Sequence, residues 1–283
     1  MQFASPLPIT AFAEVAALKD YAQALDDAGF DYTSTSGHVM AQPPGTNPQR
    51  PDRQYVGPFH DPFVTFSFLS GVTQRLRFIS AILILPAWPT VLVAKQAAEL
   101  AVFSGGRFEL GVGLSWNAAE YQAMGQNIHD RGRRIEEQVR VLRLLWSQPF
   151  VTFDGQWHKL DKVGINRPGL PPIPIWFGSE SGERALRRVA RLADGWMSLG
   201  DPVKDLPTVF DYVREAGRDP AALKVRGPLV ADDKGDEAWI AAALKAQAAG
   251  VTVLNITAPL GVAPMEALPR IIRARRVLAG ALG

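Results

Sequence analysis

Short apolar runs alternate along this chain with stretches of helical periodicity. Eight such runs occupy residues 1–7, 30–34, 76–85, 107–112, 173–177, 195–199, 223–230 and 251–257. Strands that alternate with amphipathic helices are typical of repeated βα units around a parallel sheet. Eight units in 283 residues predict an α/β fold, a single (β/α)8 TIM barrel domain spanning residues 1–283.

The helical pattern is clearest from Arg131 to Ser147, where apolar side chains recur on one face and arginines lie opposite. A doubly wound sheet is the main alternative for alternating strands and helices. That fold usually carries a glycine-rich dinucleotide turn after its first strand. Residues 7–10 contain no glycine, so the pattern favours the barrel.

Two segments, residues 39–61 and 149–172, are longer than ordinary βα connections and rich in proline and glycine. They predict extended loops after strands 2 and 4 of the barrel. Long ordered loops in compact domains are often functional. We therefore expect both segments near one end of the barrel.

Composition and charge disfavour several classes of binding partner. A formal net charge of +2 with no dense basic run disfavours nucleic-acid binding. The absence of cysteine excludes disulfides, thiolate metal sites and cysteine nucleophiles, and it fits a cytoplasmic location. No apolar run approaches the roughly 18 residues of a membrane span. We expect a cytoplasmic protein without metal, membrane or nucleic-acid partners that acts on a small molecule.

An ordered series of short motifs carries a family resemblance. The series includes Asp61-Pro62-Phe63, Leu85-Pro86, Ser104-Gly105-Gly106-Arg107-Phe108, Gly111-Val112-Gly113, Arg131-Gly132-Arg133-Arg134, Pro172-Ile173-Pro174-Ile175-Trp176-Phe177-Gly178 and Asp194-Gly195-Trp196. In this order the motifs resemble the luciferase-like monooxygenase superfamily, and within it most closely the branch that uses the deazaflavin coenzyme F420. The resemblance covers most of residues 30–200.

The resemblance implies a flavin-type ring over the carboxyl ends of the strands, supported by a non-proline cis peptide at Ala81-Ile82. It also implies a homodimer formed through helices beside the early strands. Three activities stay open. The first is hydride transfer between F420 and a small organic substrate. The second is oxygenation with FMNH2 and O2, with a separate reductase supplying the cofactor. The third is a non-catalytic flavin-binding barrel.

His38 is the candidate catalytic residue and a candidate cofactor contact, because it follows the second strand and imidazole exchanges protons near neutral pH. Similar proteins carry an acid immediately before this histidine, whereas this chain has Gly37. The sequence therefore predicts that a carboxylate to orient the imidazole or to contact the cofactor tail is absent. Leu114 stands where sugar-phosphate dehydrogenases of the superfamily have a glutamate, which argues against that activity.

Further candidate contacts cluster after strands 3, 4 and 5. The strand 4 exit offers Gly113, for close backbone approach to a ligand, and Asn117, for hydrogen bonding to the cofactor. Residues 178–181 join a strand to a helix, a setting that favours a phosphate. The predicted cofactor contacts are His38, Ala81, Ile82, Gly113, Asn117, Gly178, Ser179, Glu180 and Ser181, and the predicted substrate pocket residues are Trp88, Trp116 and Phe177.

Overall fold

The computed structural model describes residues 1–8, 14–43, 45, 59–166 and 172–282. Within these ranges eight parallel strands close into a barrel in the order β1-β2-β3-β4-β7-β8-β9-β10, and β10 pairs with β1. The barrel strands are β1 (Gln2–Pro6), β2 (Tyr32–Gly37), β3 (Arg77–Leu83), β4 (Phe108–Val112), β7 (Ile175–Ser179), β8 (Gly195–Ser198), β9 (Lys224–Val230) and β10 (Val253–Thr257). Each predicted run supplies one strand, and the (β/α)8 prediction is confirmed.

The helices of the described residues pack outside the barrel. They are α1 (Val15–Asp27), α2 (Pro62–Ser70), α3 (Thr90–Phe103), α4 (Ala118–Ala123), α5 (Arg131–Ser147), α6 (Glu183–Leu192), α7 (Pro202–Glu215), α8 (Asp236–Ala249) and α9 (Pro264–Leu282). Helix α5 has the predicted bounds, since Ile135, Val139 and Leu142 recur on one face and are fully buried.

The segment 149–172 is not simply a loop, which corrects the sequence prediction. It contains an antiparallel hairpin of β5 (Val151–Asp154) and β6 (Lys159–Val163). Glu137 of α5 anchors the hairpin by accepting the backbone N–H groups of residues 156–158 and a 2.8 Å hydrogen bond from Nδ1 of His158. Burial alone raises the pKa of Glu137, but these hydrogen bonds outweigh it and hold the pKa below its usual range. Residues 167–171, and most of the predicted loop at 39–61, lie outside the described residues.

A charged layer fills the amino-terminal end of the barrel. Glu109 is fully buried, pairs with Arg77 at 2.8 Å and Lys224 at 3.4 Å, and accepts from the indole of Trp176 and the hydroxyl of Tyr32. Burial raises the pKa of Glu109, but Lys224, Trp176 and Arg77 outweigh burial and keep that pKa below its ordinary value. We call this charged layer the plug. Because it fills the amino-terminal end, the carboxyl-terminal end, where barrel active sites usually lie, is the open face.

Candidate functional site

A bulge in β3 shapes the carboxyl-terminal end of the barrel. The pairing register shifts between Ile79 and Leu83, and the peptide bond between Ala81 and Ile82 is cis, as the sequence resemblance predicts. Ala81 lines a cavity of about 230 Å³, which we call the mouth cavity. Its other lining residues are Pro6, Leu7, Ser34, Thr35, Ser36 and Arg226.

Ile82 occupies the space left by two glycines. A Cβ at Gly113 would lie 2.9 Å from Cδ1 of Ile82, and a Cβ at Gly178 would lie 2.5 Å from its Cγ2. Either substitution would overlap the isoleucine. The Ile82 side chain therefore fills the space beside Gly113, and close approach of the Gly113 backbone to a ligand stays a prediction.

His38 has a carboxylate partner that its immediate sequence does not show. Its Nδ1 lies 2.9 Å from Oε2 of Glu120, and the side chains of His38 and Glu120 are 13% and 1% exposed. Oε1 of Glu120 accepts the backbone N–H of Val39 at 2.7 Å. Although Gly37 replaces the adjacent acid of relatives, the structure supplies a carboxylate from a position 82 residues downstream. The prediction of an imidazole without an orienting acid is wrong in this respect.

The start of α4 explains why Glu120 reaches His38. Asn117 caps the helix, since its Oδ1 accepts from the backbone N–H groups of Ala119 and Glu120. An Asn followed three residues later by Glu is the pattern of a capping box, in which the Glu turns back over the helix start. Here the Glu120 carboxylate turns to His38 and Val39 instead. This pattern at 117–120 could have indicated that Glu120 turns back at the helix start, but not that it meets His38.

The oxygen and the nitrogen of the Asn117 side-chain amide have different surroundings. Its oxygen is committed to capping α4, whereas its Nδ2 is buried without a hydrogen-bond partner in the described part of the chain. The Oγ1 of Thr35, at the end of β2, is likewise buried and unpartnered there. Buried polar atoms without partners are costly, so each is suited to meet a polar group of a ligand.

Most of the remaining predicted residues meet at a second cavity of about 270 Å³, which we call the side cavity. It brings together Gly113, Trp116, Phe177, Gly178, Ser179 and Glu180, with Leu114, Ser115, Arg131, Ala185, Arg188 and Leu199 completing the lining. Ser181 does not line it, because its hydroxyl donates to Asp205. Trp88 lines neither cavity. It packs in the core and contacts Phe63 edge-on.

The expected phosphate loop differs in detail from its prediction. Helix α6 begins at Glu183, and its N-cap is Gly182, without a side-chain cap. The backbone of residues 178–181 therefore lies before the helix. Oγ of Ser179 accepts from the indole of Trp196 at 3.0 Å, which leaves the hydroxyl hydrogen of Ser179 available for donation.

A cation that the sequence analysis did not select lies at the side cavity. Arg131 donates from Nη1 to the carbonyl of Ile128 and forms no ion pair with any described residue, and its Nε is buried without a partner. Arg188, by contrast, pairs with Glu136 at 3.1 Å. Arg131 is thus a positively charged side chain at this cavity without an ion-pair partner among the described residues.

Arg226 was also missed, because its run predicted only a strand. It donates to Oγ of Ser34 at 3.3 Å and contacts Sδ of Met197 at 3.4 Å. Burial lowers its pKa to about 10, so it stays charged at neutral pH. Lys224 lies two residues earlier on the same strand. Because alternate residues of a strand share a face, this spacing could have indicated that both side chains point into the barrel.

The largest of the described cavities, about 440 Å³, lies at the opposite end of the barrel, beside Trp146, Ile173 and Lys224. We do not assign the chemistry there, since Lys224 belongs to the plug. Among the described residues no helix is both long and apolar enough to cross a membrane, and no three His, Cys, Asp or Glu side chains converge as metal ligands.

Comparison with known proteins identifies the family to which this barrel is similar. The family model for luciferase-like monooxygenases matches residues 2–274. An uncharacterised protein of Mycobacterium tuberculosis is 38% identical over 179 residues, which are 60% of this chain and 62% of that protein. An FMNH2-dependent dimethylsulfone monooxygenase of Pseudomonas fluorescens is 32% identical over 77% of this chain and 58% of its own length.

An F420-dependent hydroxymycolic acid dehydrogenase of Mycobacterium tuberculosis is 28% identical over 76% of this chain and 59% of its own length. The matches thus span about three fifths of these curated relatives. A solved F420-dependent secondary alcohol dehydrogenase, in complex with an F420–acetone adduct, superposes with a TM-score of 0.79 at 17% identity, over 99% of this chain and 98% of that one. At that identity the likeness is one of fold.

Proposed function

We propose, from the premise that the chain belongs to the luciferase-like monooxygenase family, that it is a flavin- or deazaflavin-dependent oxidoreductase. The specific proposal is F420-dependent hydride transfer to or from a small organic substrate. The observation that carries it is the His38–Glu120 pair at the open end of the barrel, at 2.9 Å. A histidine oriented by a buried carboxylate is suited to proton transfer.

The residues present fit such a cofactor. Nδ2 of Asn117 and Oγ1 of Thr35 are buried polar atoms without partners in the described chain. Ala81 and Ile82 lie between the two cavities, since Ala81 lines the mouth cavity and Ile82 packs against Gly113 and Gly178 of the side cavity. We assign the ring to Ala81, Ile82, Asn117 and His38.

The cofactor phosphate is assigned to the side cavity. Gly178, Ser179 and Glu180 line this cavity, Ser179 adds the hydrogen of its hydroxyl, and Arg131 adds a charge without an ion-pair partner among the described residues. Ser181 is a weaker candidate, because its hydroxyl is engaged by Asp205. Trp116 and Phe177 would form walls of this pocket.

A bound deazaflavin supplies a carbon centre that accepts or donates a hydride. Oxidation of an alcohol removes a hydride from carbon and a proton from the hydroxyl, and the protein must take up that proton. Because Nδ1 of His38 is engaged by Glu120, the proton would be exchanged at Nε2. Glu120 fixes the orientation of the ring. Reduction of a carbonyl would use the same groups in reverse.

The alternative is an FMNH2-dependent monooxygenase that receives reduced cofactor from a separate reductase. It is favoured by the dimethylsulfone monooxygenase relative, which is more similar in sequence than the F420-dependent dehydrogenase. A non-catalytic barrel is less well supported, because Glu120 supplies the carboxylate that Gly37 lacks.

Titration of the purified protein with F420 and with FMN, followed by cofactor fluorescence, separates the two catalytic proposals. We expect tighter binding of F420 and substrate oxidation without oxygen. Tight binding of FMN with strictly oxygen-dependent turnover would instead establish the monooxygenase. Failure to bind either cofactor would overturn both.

Arg131→Gln tests the phosphate assignment. A hydrogen bond to a charged group contributes about 1.5–3 kcal/mol, so cofactor affinity should fall roughly 10- to 100-fold. Arg133→Gln is the matched control, because Arg133 lies over the ring of Trp157 and does not line the side cavity. Equal affinities in the two variants would count against the assignment.

We further propose that this single barrel domain acts in the cytoplasm as a homodimer. Support for the dimer comes from apolar side chains exposed on neighbouring helices α2 and α3, including Val64, Phe68, Leu92 and Phe103. An apolar face of this kind is typical of a protein interface. The absence of cysteine supports a reducing compartment.

A further inference from the structure

Arg226 is a cation inside the barrel that meets no carboxylate in the described part of the chain. It contacts the hydroxyl of Ser34 and the sulfur of Met197, both neutral and both at 3.3 Å or longer. Lys224, two residues earlier on β9, pairs with Glu109. Among the described residues Arg226 has no such anion, and it faces the mouth cavity.

Arg226 is half-buried, and a cation that loses part of its water without gaining an anion is costly to a folded protein. Glu109 cannot compensate Arg226, since Arg77 and Lys224 already neutralise it. Burial lowers the pKa of Arg226 to about 10, and at neutral pH the charge persists. A protein that keeps such a cation despite its cost is suited to bind a ligand that brings the missing anion.

The position of Arg226 indicates which bound molecule would carry the anion. The mouth cavity and the side cavity share no lining residue, and the Ala81–Ile82 peptide separates them. The cofactor phosphate is assigned to the side cavity, with Arg131. Arg226 shares the mouth cavity with Ala81, a proposed contact of the ring, so it is placed for an anion beside the ring and not for the cofactor phosphate.

A second space, lined mostly by apolar residues, meets the mouth cavity at Pro6. Pro6 also lines an adjoining cavity of about 300 Å³, whose walls include Pro259, Leu260 and Val262. A ligand that reached from Arg226 past Pro6 would place its charged group at the guanidinium and an apolar portion in this second space.

We propose that Arg226 binds a carboxylate of the substrate, and that the substrate is an organic acid with an apolar portion. A guanidinium matches a carboxylate because two parallel N–H groups can donate to its two oxygens. This inference rests on the proposed function for the statement that the bound acid is a substrate. The binding site itself does not depend on the cofactor.

The test measures binding of straight-chain and aromatic carboxylates to the cofactor-free protein by calorimetry, with the corresponding primary amides as neutral counterparts. We expect carboxylates to bind and amides to bind much more weakly. Arg226→Gln should lower carboxylate affinity roughly 10- to 100-fold. Arg226→Lys, which keeps the charge, should recover part of the loss. Affinity for F420 or FMN should fall much less than carboxylate affinity, because the cofactor phosphate is assigned to the side cavity.

Thermal unfolding supplies an independent measurement. Without ligand, Arg226→Met should unfold at a higher temperature than wild type, because it removes a half-buried charge that has no anion among the described residues, and carboxylates should stabilise only the wild type. Equal binding of carboxylates and amides, or full affinity in Arg226→Gln, would overturn the proposal. A selective loss of cofactor affinity in Arg226→Gln would also overturn it, by assigning the residue to the cofactor. If neither cofactor binds but carboxylates bind through Arg226, the proposed function fails and this site stands.

Discussion

Replacing Glu120 by Gln should reverse the proton arrangement of His38. In the wild type, Oε1 of Glu120 accepts from Val39 N–H and Oε2 meets Nδ1 of His38. Gln offers only one oxygen, and the backbone N–H of Val39 can only donate. The amide oxygen should therefore stay with Val39, and the amide NH2 should face Nδ1. The imidazole would then accept at Nδ1 and carry its proton on Nε2, the atom proposed to receive the substrate proton.

The expected loss of unfolding free energy follows from these two hydrogen bonds of Glu120. Glu120 is 1% exposed, and each hydrogen bond to a buried carboxylate contributes about 1.5–3 kcal/mol. Because Gln keeps two weaker contacts, we expect a loss of about 1–2 kcal/mol in unfolding free energy. A misprotonated general base should lower kcat by roughly 100-fold, close to the effect expected for His38→Ala.

The assay is single-turnover reduction or oxidation of the bound cofactor, together with cofactor affinity and urea unfolding. Glu137→Gln is the matched control, because Glu137 also binds a histidine Nδ1, at 2.8 Å, and lies in the hairpin anchor. The control should lose stability and keep its rate per folded molecule. A Glu120→Gln enzyme within a few-fold of the wild-type rate would refute the assigned role of the pair.

Three further variants test the fold and the assembly. Gly37→Asp would restore the acid of relatives, but its Cβ would lie 3.1 Å from Cα of Leu83, so we expect about 1–3 kcal/mol of destabilisation in urea and no gain in rate. Glu109→Gln leaves two cations unpaired and should cost about 3 kcal/mol at neutral pH. Because the folded pKa of Glu109 is lowered, the wild-type advantage exists above its unfolded pKa of about 4.3 and should shrink as pH falls through the folded value. Phe103→Glu places a charge at a side chain that is 70% exposed and should yield monomers in sedimentation, whereas an unchanged dimer would exclude this face.

Local patterns determined the barrel and several of its parts. Each βα unit carries its own periodicity, so eight strands and the bounds of α5 could be predicted from neighbouring residues alone. The family resemblance added the cis peptide at Ala81–Ile82, and half of the residues that line the side cavity were among the predicted contacts. The hairpin at 151–163 was missed, because its anchor is Glu137 on a helix that precedes it in the chain.

Only the tertiary structure decided which side chains act together. His38 and Glu120 are 82 residues apart, and Arg226 and Ser34 are 192 apart, so no local pattern records either pairing. Gly113 and Gly178 could not be interpreted before Ile82 was seen to lie between them. Strand register and helix capping set the directions of these side chains, and closure of the barrel brings together residues whose positions along the chain are independent.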